Sequence, residues 1–453
     1  MGNLFVSLLN STGAMRVFER GMHLTQNNIS NSLTPGYVKQ RQAIESNRFE
    51  LDSGQPGGVH SAGTLDSRNL YAEQRVRLQA SNLGMAQRRA EHLGQLEPIF
   101  QIEAGSGLAG ALDRFFESAS ALANTPNDTG ARQLVLDRAA ALAATFRSSA
   151  DNLVDASNQL NRDLDQTVEA INAIGARLRE INIEYRKDSQ AQKDAGLEAK
   201  LHSTLEELSQ LADYTALRQD DGTVSVYLGG QTLFVLGEHD YPISLNPPGA
   251  TAEVLDSESR IITAQFGGGA LKGALDVRNE LLPQYQADLD RLAGVLADSV
   301  NGLLASGLDA SGANPITPLF QYNATLGISR TLTTNNLAPG DLAVASAGAP
   351  GGNGNAIALA ELQKNQLVDG YSFTGYYGLI AGRLGRELAG ERENVALQSD
   401  LLSQTQALRE EISAVNLDEE AILLLQYQRG YQASARLVSV LNEMTETVIN
   451  LLR

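Results

Sequence analysis

The sequence predicts a mainly α-helical protein with β insertions. Its expected centre is a long helical-bundle or coiled-coil core built from the N- and C-terminal regions, with a small β domain inserted in the middle. Three observations predict this. Apolar residues recur at seven-residue intervals near both ends, a very long helical pattern fills residues 131–187, and β-rich runs cluster between residues 214 and 270.

The first stripe runs through Leu4, Leu8, Met15, Phe18, Met22 and Ile29, and Leu8, Met15, Met22 and Ile29 keep a strict interval of seven. It stops at Thr34-Pro35-Gly36-Tyr37. There Pro pre-sets its own φ and Gly supplies φ > 0, the needs of a type II turn. A helix of about 30 residues therefore ends here. Residues 37–69 hold no sustained period and read as an extended connection with short strands.

Helical pattern resumes near Leu70 and continues to about Asp213, with breaks around Glu103–Gly110 and Thr125–Gly130. Within it Leu160, Leu164, Thr167, Ile171, Ile174, Leu178, Ile181 and Tyr185 hold heptad spacing. The β-rich stretch follows, with runs at Thr223–Leu228, Gln231–Leu236 and Arg260–Phe266. Gly229-Gly230 between the first two is a hairpin signal. Helix returns with Leu282, Leu289, Leu296 and Leu303, then yields to a Gly/Asn/Pro-rich stretch containing a strand-like Leu326–Arg330.

From about Ala356 the chain reads as helix nearly to its end, interrupted at 369–378 and broken at 415–420, where Asn416 is placed to cap the last helix. That helix carries Leu423, Tyr427, Gly430, Ser434, Leu437, Leu441, Met444, Val448 and Leu451 in one heptad frame. Leu424, Tyr431, Val438 and Leu452 fall in the next. A stripe this wide needs neighbours on two sides. The expected organisation is residues 1–36 plus 415–453 as terminal helices, disordered before assembly. Residues 37–213 plus 271–414 would form a long-helix rod with a small β segment near 306–345, and residues 214–270 an inserted β domain.

Composition narrows the function. Of 453 residues, 35 are Lys or Arg and 53 Asp or Glu, so the formal charge of −18 opposes a nucleic-acid partner. There is no cysteine and no tryptophan, which removes disulfides, thiolate metal sites and cysteine nucleophiles. No run of 18 apolar residues predicts membrane insertion, and the first ten residues lack the form of a cleaved signal peptide.

Gly105-Ser106-Gly107-Leu108-Ala109-Gly110 matches a phosphate-binding glycine pattern, but helix follows helix where a dinucleotide fold needs a second strand. The five histidines are scattered, and no catalytic, cofactor or metal constellation is assembled. A nucleotide-binding enzyme and a coiled-coil adaptor are therefore the weaker readings beside a structural subunit.

Residues 26–40, Gln-Asn-Asn-Ile-Ser-Asn-Ser-Leu-Thr-Pro-Gly-Tyr-Val-Lys-Gln, closely resemble the N-terminal signature of bacterial flagellar axial proteins. Asn416–Glu420, Leu425–Arg436 and Asn442-Glu443-Met444 look like the matching C-terminal signature. Leu33 and Val38 depart from it, standing where the family usually has Asn and a hydroxylated residue. Thr125-Pro126-Asn127-Asp128, then Arg132–Leu136 and the long helix, are similar to the hook-associated members at the hook–filament junction rather than to hook or distal-rod subunits.

The resemblance implies a structural subunit, not an enzyme and without cofactors. It would be exported by the flagellar type III system without signal cleavage and would lie in the extracellular flagellum. Its implied partners are further copies in a ring, the hook protein, the second hook–filament junction protein, and an export chaperone at the C-terminal helix. The expected assembly interface comprises Leu8, Met15, Met22, Asn28, Ile29, Asn31, Thr34, Pro35, Gly36, Tyr37 and Gln40. From the C-terminal helix it takes Leu423, Tyr427, Tyr431, Leu437, Leu441, Met444, Val448 and Leu451.

Overall fold

A computed structural model describes residues 2–48, 57–101, 105–187 and 194–451. The chain opens with α1 (Gly2–Ser30), which stops before the Thr34–Tyr37 turn, and then forms an antiparallel hairpin of β1 (Gln40–Ser46) and β2 (Val59–Asp66). The hairpin's register shifts between Ala43 and Ile44, and its side chains are half-buried or exposed. Neither strand shows clean alternation, which is why no strand period stands out in the sequence.

Next come α2 (Leu70–Leu96), α3 (Gly107–Asn124), α4 (Thr129–Lys187) and α5 (Ala195–Leu211). Asn69 caps α2 through the amides of Tyr71 and Ala72, and Asp194 caps α5 through those of Gly196 and Leu197. The 59 residues of α4 span roughly 88 Å at 1.5 Å per residue. The expected helical pattern to Asp213 thus has a further break at Asp194, where an extended backbone starts α5.

The β-rich stretch forms one four-stranded antiparallel sheet, ordered β3 (Tyr214–Arg218), β4 (Val224–Leu228), β5 (Thr232–Leu236) and β6 (His239–Asp240). A two-stranded ladder of β7 (Ser244–Leu245) and β8 (Val254–Leu255) follows. Residues 260–266 are not the expected strand. Ile261 makes one bridge to Leu255, and Thr263–Gln265 is a 3₁₀ turn that buries Ile262 and Phe266, four residues apart, on one side.

Helix α6 (Gly269–Asp276) passes through a π turn at Val277–Leu281 into α7 (Leu282–Ala305). Beyond it β9 (Phe320–Gln321) pairs with β10 (Thr333–Thr334), and between them lies α8 (Ile328–Thr331). The expected strand at Leu326–Arg330 is helical instead. Gly327 turns the chain at φ 97°, and Asp290 of α7 accepts from both the amide and the hydroxyl of Ser329, capping the new helix. The chain closes with α9 (Gly354–Glu361), α10 (Phe373–Ser413) and α11 (Leu417–Leu451).

Two buried clusters lie along α4. One gathers α3, α7, α9 and the start of α10 around the first half of α4. The other gathers α5, α6 and the β3–β6 sheet around Leu160–Tyr185. All eight heptad positions from Leu160 to Tyr185 are buried, so this stripe is intrachain core. Arg278 on the π turn donates to Asn161 Oδ1 and to the carbonyls of Gly249 and Ala250, tying the β region to α4.

Asn182 performs the same service nearer the helix end. Its Nδ2 donates to Val224 O at 2.9 Å and Gly237 O at 2.8 Å, and its Oδ1 accepts from Val224 N at 2.8 Å. Replacing it strands these backbone groups among buried residues, so Asn182→Ala is expected to lower unfolding stability by about 2–3 kcal/mol. Urea unfolding followed by tyrosine fluorescence checks this, and an unchanged midpoint would show that these bonds do not hold the sheet to α4.

Candidate assembly interface

The two ends of the chain meet as an antiparallel helix pair. Gly21 and Gly430 set how closely α1 and α11 approach. A Cβ on Gly21 would fall 2.8 Å from the Tyr427 ring, and a Cβ on Gly430 would fall 2.8 Å from the Phe18 ring. Each helix thus seats its aromatic ring on the other's glycine, with ring centroids 6.4 Å apart.

Both helices spell the device with the same spacing, Phe18-Glu19-Arg20-Gly21 and Tyr427-Gln428-Arg429-Gly430. Aromatic and glycine three apart share one helix face, and antiparallel packing sets each ring opposite the partner's notch. Gly21 lies off the apolar stripe, and Phe18, though on it, is not among the expected interface residues; this paired spacing is the signal that could have found both.

A polar clasp closes the foot of the pair. Asn28 behaves like a neighbouring strand: its Oδ1 accepts from Gln40 N at 3.0 Å and its Nδ2 donates to Gln40 O at 2.9 Å. The same amide donates to Glu420 Oε2 at 3.0 Å and accepts from Tyr37 OH at 2.9 Å. Buried Lys39 pairs with Glu419 at 2.8 Å and Glu420 at 3.3 Å.

Burial, with the charge of Glu420 beside it, pushes the Tyr37 phenol up to about 12. The hydrogen bond and charge of Lys39 hold the Glu419 carboxyl below its usual range. Asn416 does cap α11, accepting from the amides of Asp418 and Glu419. Glu419, however, spends its side chain on Lys39, so the acidic run at 418–420 is a binding element as well as a favourable helix start.

The Thr34–Tyr37 turn forms as its residues require: Tyr37 N donates to Thr34 O at 3.1 Å, and Gly36 sits at φ 76°. Gly36 has a second reason to be glycine, since a Cβ there would lie 2.3 Å from Ala199 O of α5. Pro35, Thr34 and Leu33 are exposed, Leu33 to 95%, whereas Val38 is buried. Asn31 bonds locally, to Asn27.

The expected interface residues therefore divide. Asn28, Tyr37 and Gln40 come together in the clasp, Tyr427 packs at Gly21, Gly36 packs on α5, and Leu441 is buried. Leu8, Met15, Met22, Ile29, Leu423, Tyr431 and Val448 are half-buried. Leu437 and Met444 are 55% and 50% exposed. The side chain of Leu451 lies outside the described residues.

More apolar side chains are open on the same two helices: Phe5, Leu9, Ile422, Leu425, Val440 and Ile449. Near the clasp, a groove of about 480 Å³ runs between α1, β1 and the start of α11. The glycine motif at 105–110 has a packing explanation: the backbone at Gly105 rests against Gly110, where a Cβ would meet it at 2.4 Å. Among the described residues no group of three or more His, Cys, Asp or Glu is arranged to hold a metal ion, and no helix is long and apolar enough to cross a membrane.

Adding a methyl group at either notch forces the helices apart, a strain of about 1–3 kcal/mol. Gly430→Ala is expected to lower amide-exchange protection of α1 and α11 by about tenfold with the body unchanged, and adding Phe18→Leu should restore part of it. Unaltered protection in the single variant would mean that the notches do not set the pairing.

Comparison with known proteins gives these ends a setting. Residues 93–320 match the family described as "Flagellar hook-associated protein FlgK helical domain", and residues 404–451 match "Flagellar basal body rod FlgEFG protein C-terminal". The chain is 25% identical to flagellar hook-associated protein 1 of Bacillus subtilis, over 99% of each chain. It is 21% identical to that of Salmonella typhimurium, over 98% of this chain and 100% of the relative. In fold it is similar to the flagellar hook junction protein FlgK from Burkholderia pseudomallei, with a TM-score of 0.64 and 16% identity over 74% of this chain and 99% of that one. The helical-domain match covers half of the chain, and the chain belongs to the flagellar hook-associated protein FlgK family.

Proposed function

We propose that the chain assembles as a ring at the distal end of the flagellar hook and there joins the hook protein to the second hook–filament junction protein. Its family makes it a structural subunit of the hook–filament junction and not an enzyme. The finer reading rests on one observation. The α1–α11 pair is closed on its inner side by fitted rings and a polar clasp, while Phe5, Leu9, Leu437, Val440 and Met444 stay open on its outer sides. Apolar faces left open on both helices of a pair are surfaces for neighbours.

In this reading residues 1–36 and 415–453 are assembly arms, the least ordered part of the chain until neighbouring copies cover them. Residues 37–213 and 271–414 form the rod-like body, and residues 214–270 an insert on it. Export through the flagellar type III system without signal cleavage, delivery to the outside of the cell, and chaperone binding at α11 follow from the resemblance of the two terminal signatures. The match of residues 404–451 to rod proteins is shared across axial subunits and leaves hook or distal rod as the competing place; the helical domain at 93–320 favours the junction.

Deleting the gene and examining the cells by electron microscopy tests this. Complete hooks without filaments, with flagellin lost to the medium, are expected. Missing hooks would move the subunit inward to the hook or rod, and normal filaments would overturn the assignment.

A further inference from the structure

A cluster of charged side chains lies beneath the Thr34–Tyr37 turn, apart from the arm pair itself. At its centre is His202 of α5, only 7% exposed. Its Nδ1 lies 2.6 Å from Arg77 Nη2 of α2. A guanidinium can only donate, so Nδ1 must offer a lone pair. The imidazole is therefore neutral, with its proton on Nε2, facing Glu198 Oε2 at 3.6 Å.

The surrounding groups come from every element packed here. Asp66 and Arg68 precede α2, Glu73 and Arg77 lie on α2, and Glu198 and Glu206 on α5; Tyr185 comes from α4, Tyr214 and Arg218 from β3, and Arg409 from α10. Most are already committed. Arg68 pairs with Glu73 at 2.7 Å, and Arg409 with Glu206 at 2.6 Å and Glu73 at 3.4 Å. Glu198 serves both Arg218, at 2.5 Å, and the Tyr185 hydroxyl, at 2.9 Å. A second proton on His202 would set two donors against each other across the 2.6 Å contact with Arg77.

This cluster is also the seat of the turn. Arg68 Nη2 donates to Gly36 O at 2.7 Å, and Gly36 packs directly on α5 at Ala199, three residues before His202. Whatever parts α2 from α5 here loosens the point from which the N-terminal arm leaves the body.

We propose that His202 is an acid-sensitive latch for this seat: neutral, it ties α2 to α5 beneath the turn; doubly protonated, it repels Arg77 and frees the turn. The direction of its titration agrees. Burial, with Arg68 and Arg77 adding to it and Glu198 and Glu73 opposing, holds the imidazole below the ordinary 6.5. A histidine whose folded value is depressed contributes stability that is present above its unfolded value and lost as the pH falls through the folded one.

His92 is a natural control, since it too is buried on α2 and depressed by burial, but faces Asp163 of α4 far from the turn in sequence. The test uses the purified full-length chain, with histidine NMR titration and amide exchange of residues 33–40 corrected for the intrinsic effect of pH. His202 should titrate below 6.5, and exchange at the turn should rise about tenfold through that titration. His202→Gln keeps an acceptor and a donor but cannot titrate, so its exchange profile should be flat, while His92→Gln should keep the rise. If His202→Gln does not fold, Arg77→Met should move the His202 midpoint upward. Titration of His202 at or above 6.5, a rise that persists in His202→Gln, or one that vanishes in His92→Gln would overturn the latch.

Discussion

The architecture depends on closing a chain whose two ends are far apart in sequence, and the Asn28 amide is where that closure is made. One side chain satisfies the exposed edge of β1 at Gln40, holds buried Glu420 at the start of α11, and receives the Tyr37 hydroxyl. A carboxylate as buried as Glu420 is tolerable only when paired and hydrogen-bonded, and Lys39 and Asn28 supply both. The first helix is thereby fixed to the start of β1 and the last to Asn28 and to Lys39 just ahead of that strand, and their register against each other follows. Phe18 and Tyr427 then find their glycine notches about two to three turns away along the pair.

Below the clasp the construction principle changes. Helix α10 returns along α2 and ends at Ser413, whose carbonyl accepts from Lys39 N and whose hydroxyl donates to Ser67 O. Arg409, one turn earlier, reaches Glu73 and Glu206. Burial alone would push the Glu73 carboxyl up, but the guanidinium groups of Arg68, Arg409 and Arg77 oppose it and hold it below its usual range. The joint between arm and body is therefore ionic and hydrogen-bonded, while the body itself is held by two apolar cores strung along α4. Apolar contacts are indifferent to direction, whereas a joint made of paired charges defines one angle and fails as a unit if a partner is lost.

How much of this was legible depended on whether the signal was local. The heptad from Leu160 to Tyr185, the type II turn at Thr34–Tyr37, the hairpin at Gly229-Gly230 and the Asn416 cap are each written in a few neighbouring residues, and each forms, the hairpin with Gln231 drawn into its turn so that Leu228 pairs with Thr232. The β1–β2 hairpin was legible only as short strands in an extended stretch, without their pairing, because a bulge interrupts its register and neither face is fully buried. Leu326–Arg330 misled because a composition suited to a strand is overruled by Asp290, a cap supplied from another helix. The terminal signatures contain Lys39, Glu419 and Glu420, yet none of the three stands among the expected interface residues. Nothing in a lone lysine or an acidic helix start announces that the two will meet across 380 residues.

The same contrast explains why the arms and the body behave as different materials. In the body, heptad positions on α4 are buried without exception from Leu160 to Tyr185, so that its apolar surface is spent within the chain. In the arms the stripe is wider than one partner can cover, and the inner face is narrowed further by glycines and a serine: Gly21, Gly430 and Ser434 stand where a self-sufficient coiled coil would place large apolar side chains. Small residues at the contact bring the helices close but bury little area, so the pair gains shape-specific register at the expense of stability. The larger side chains, Phe5, Leu9, Leu437, Val440 and Met444, are turned outward instead. A hairpin whose internal contact selects the register, and whose external contacts carry the larger apolar area, is specified as one component of a packed array. Its own chain determines how it folds, and its neighbours determine how firmly.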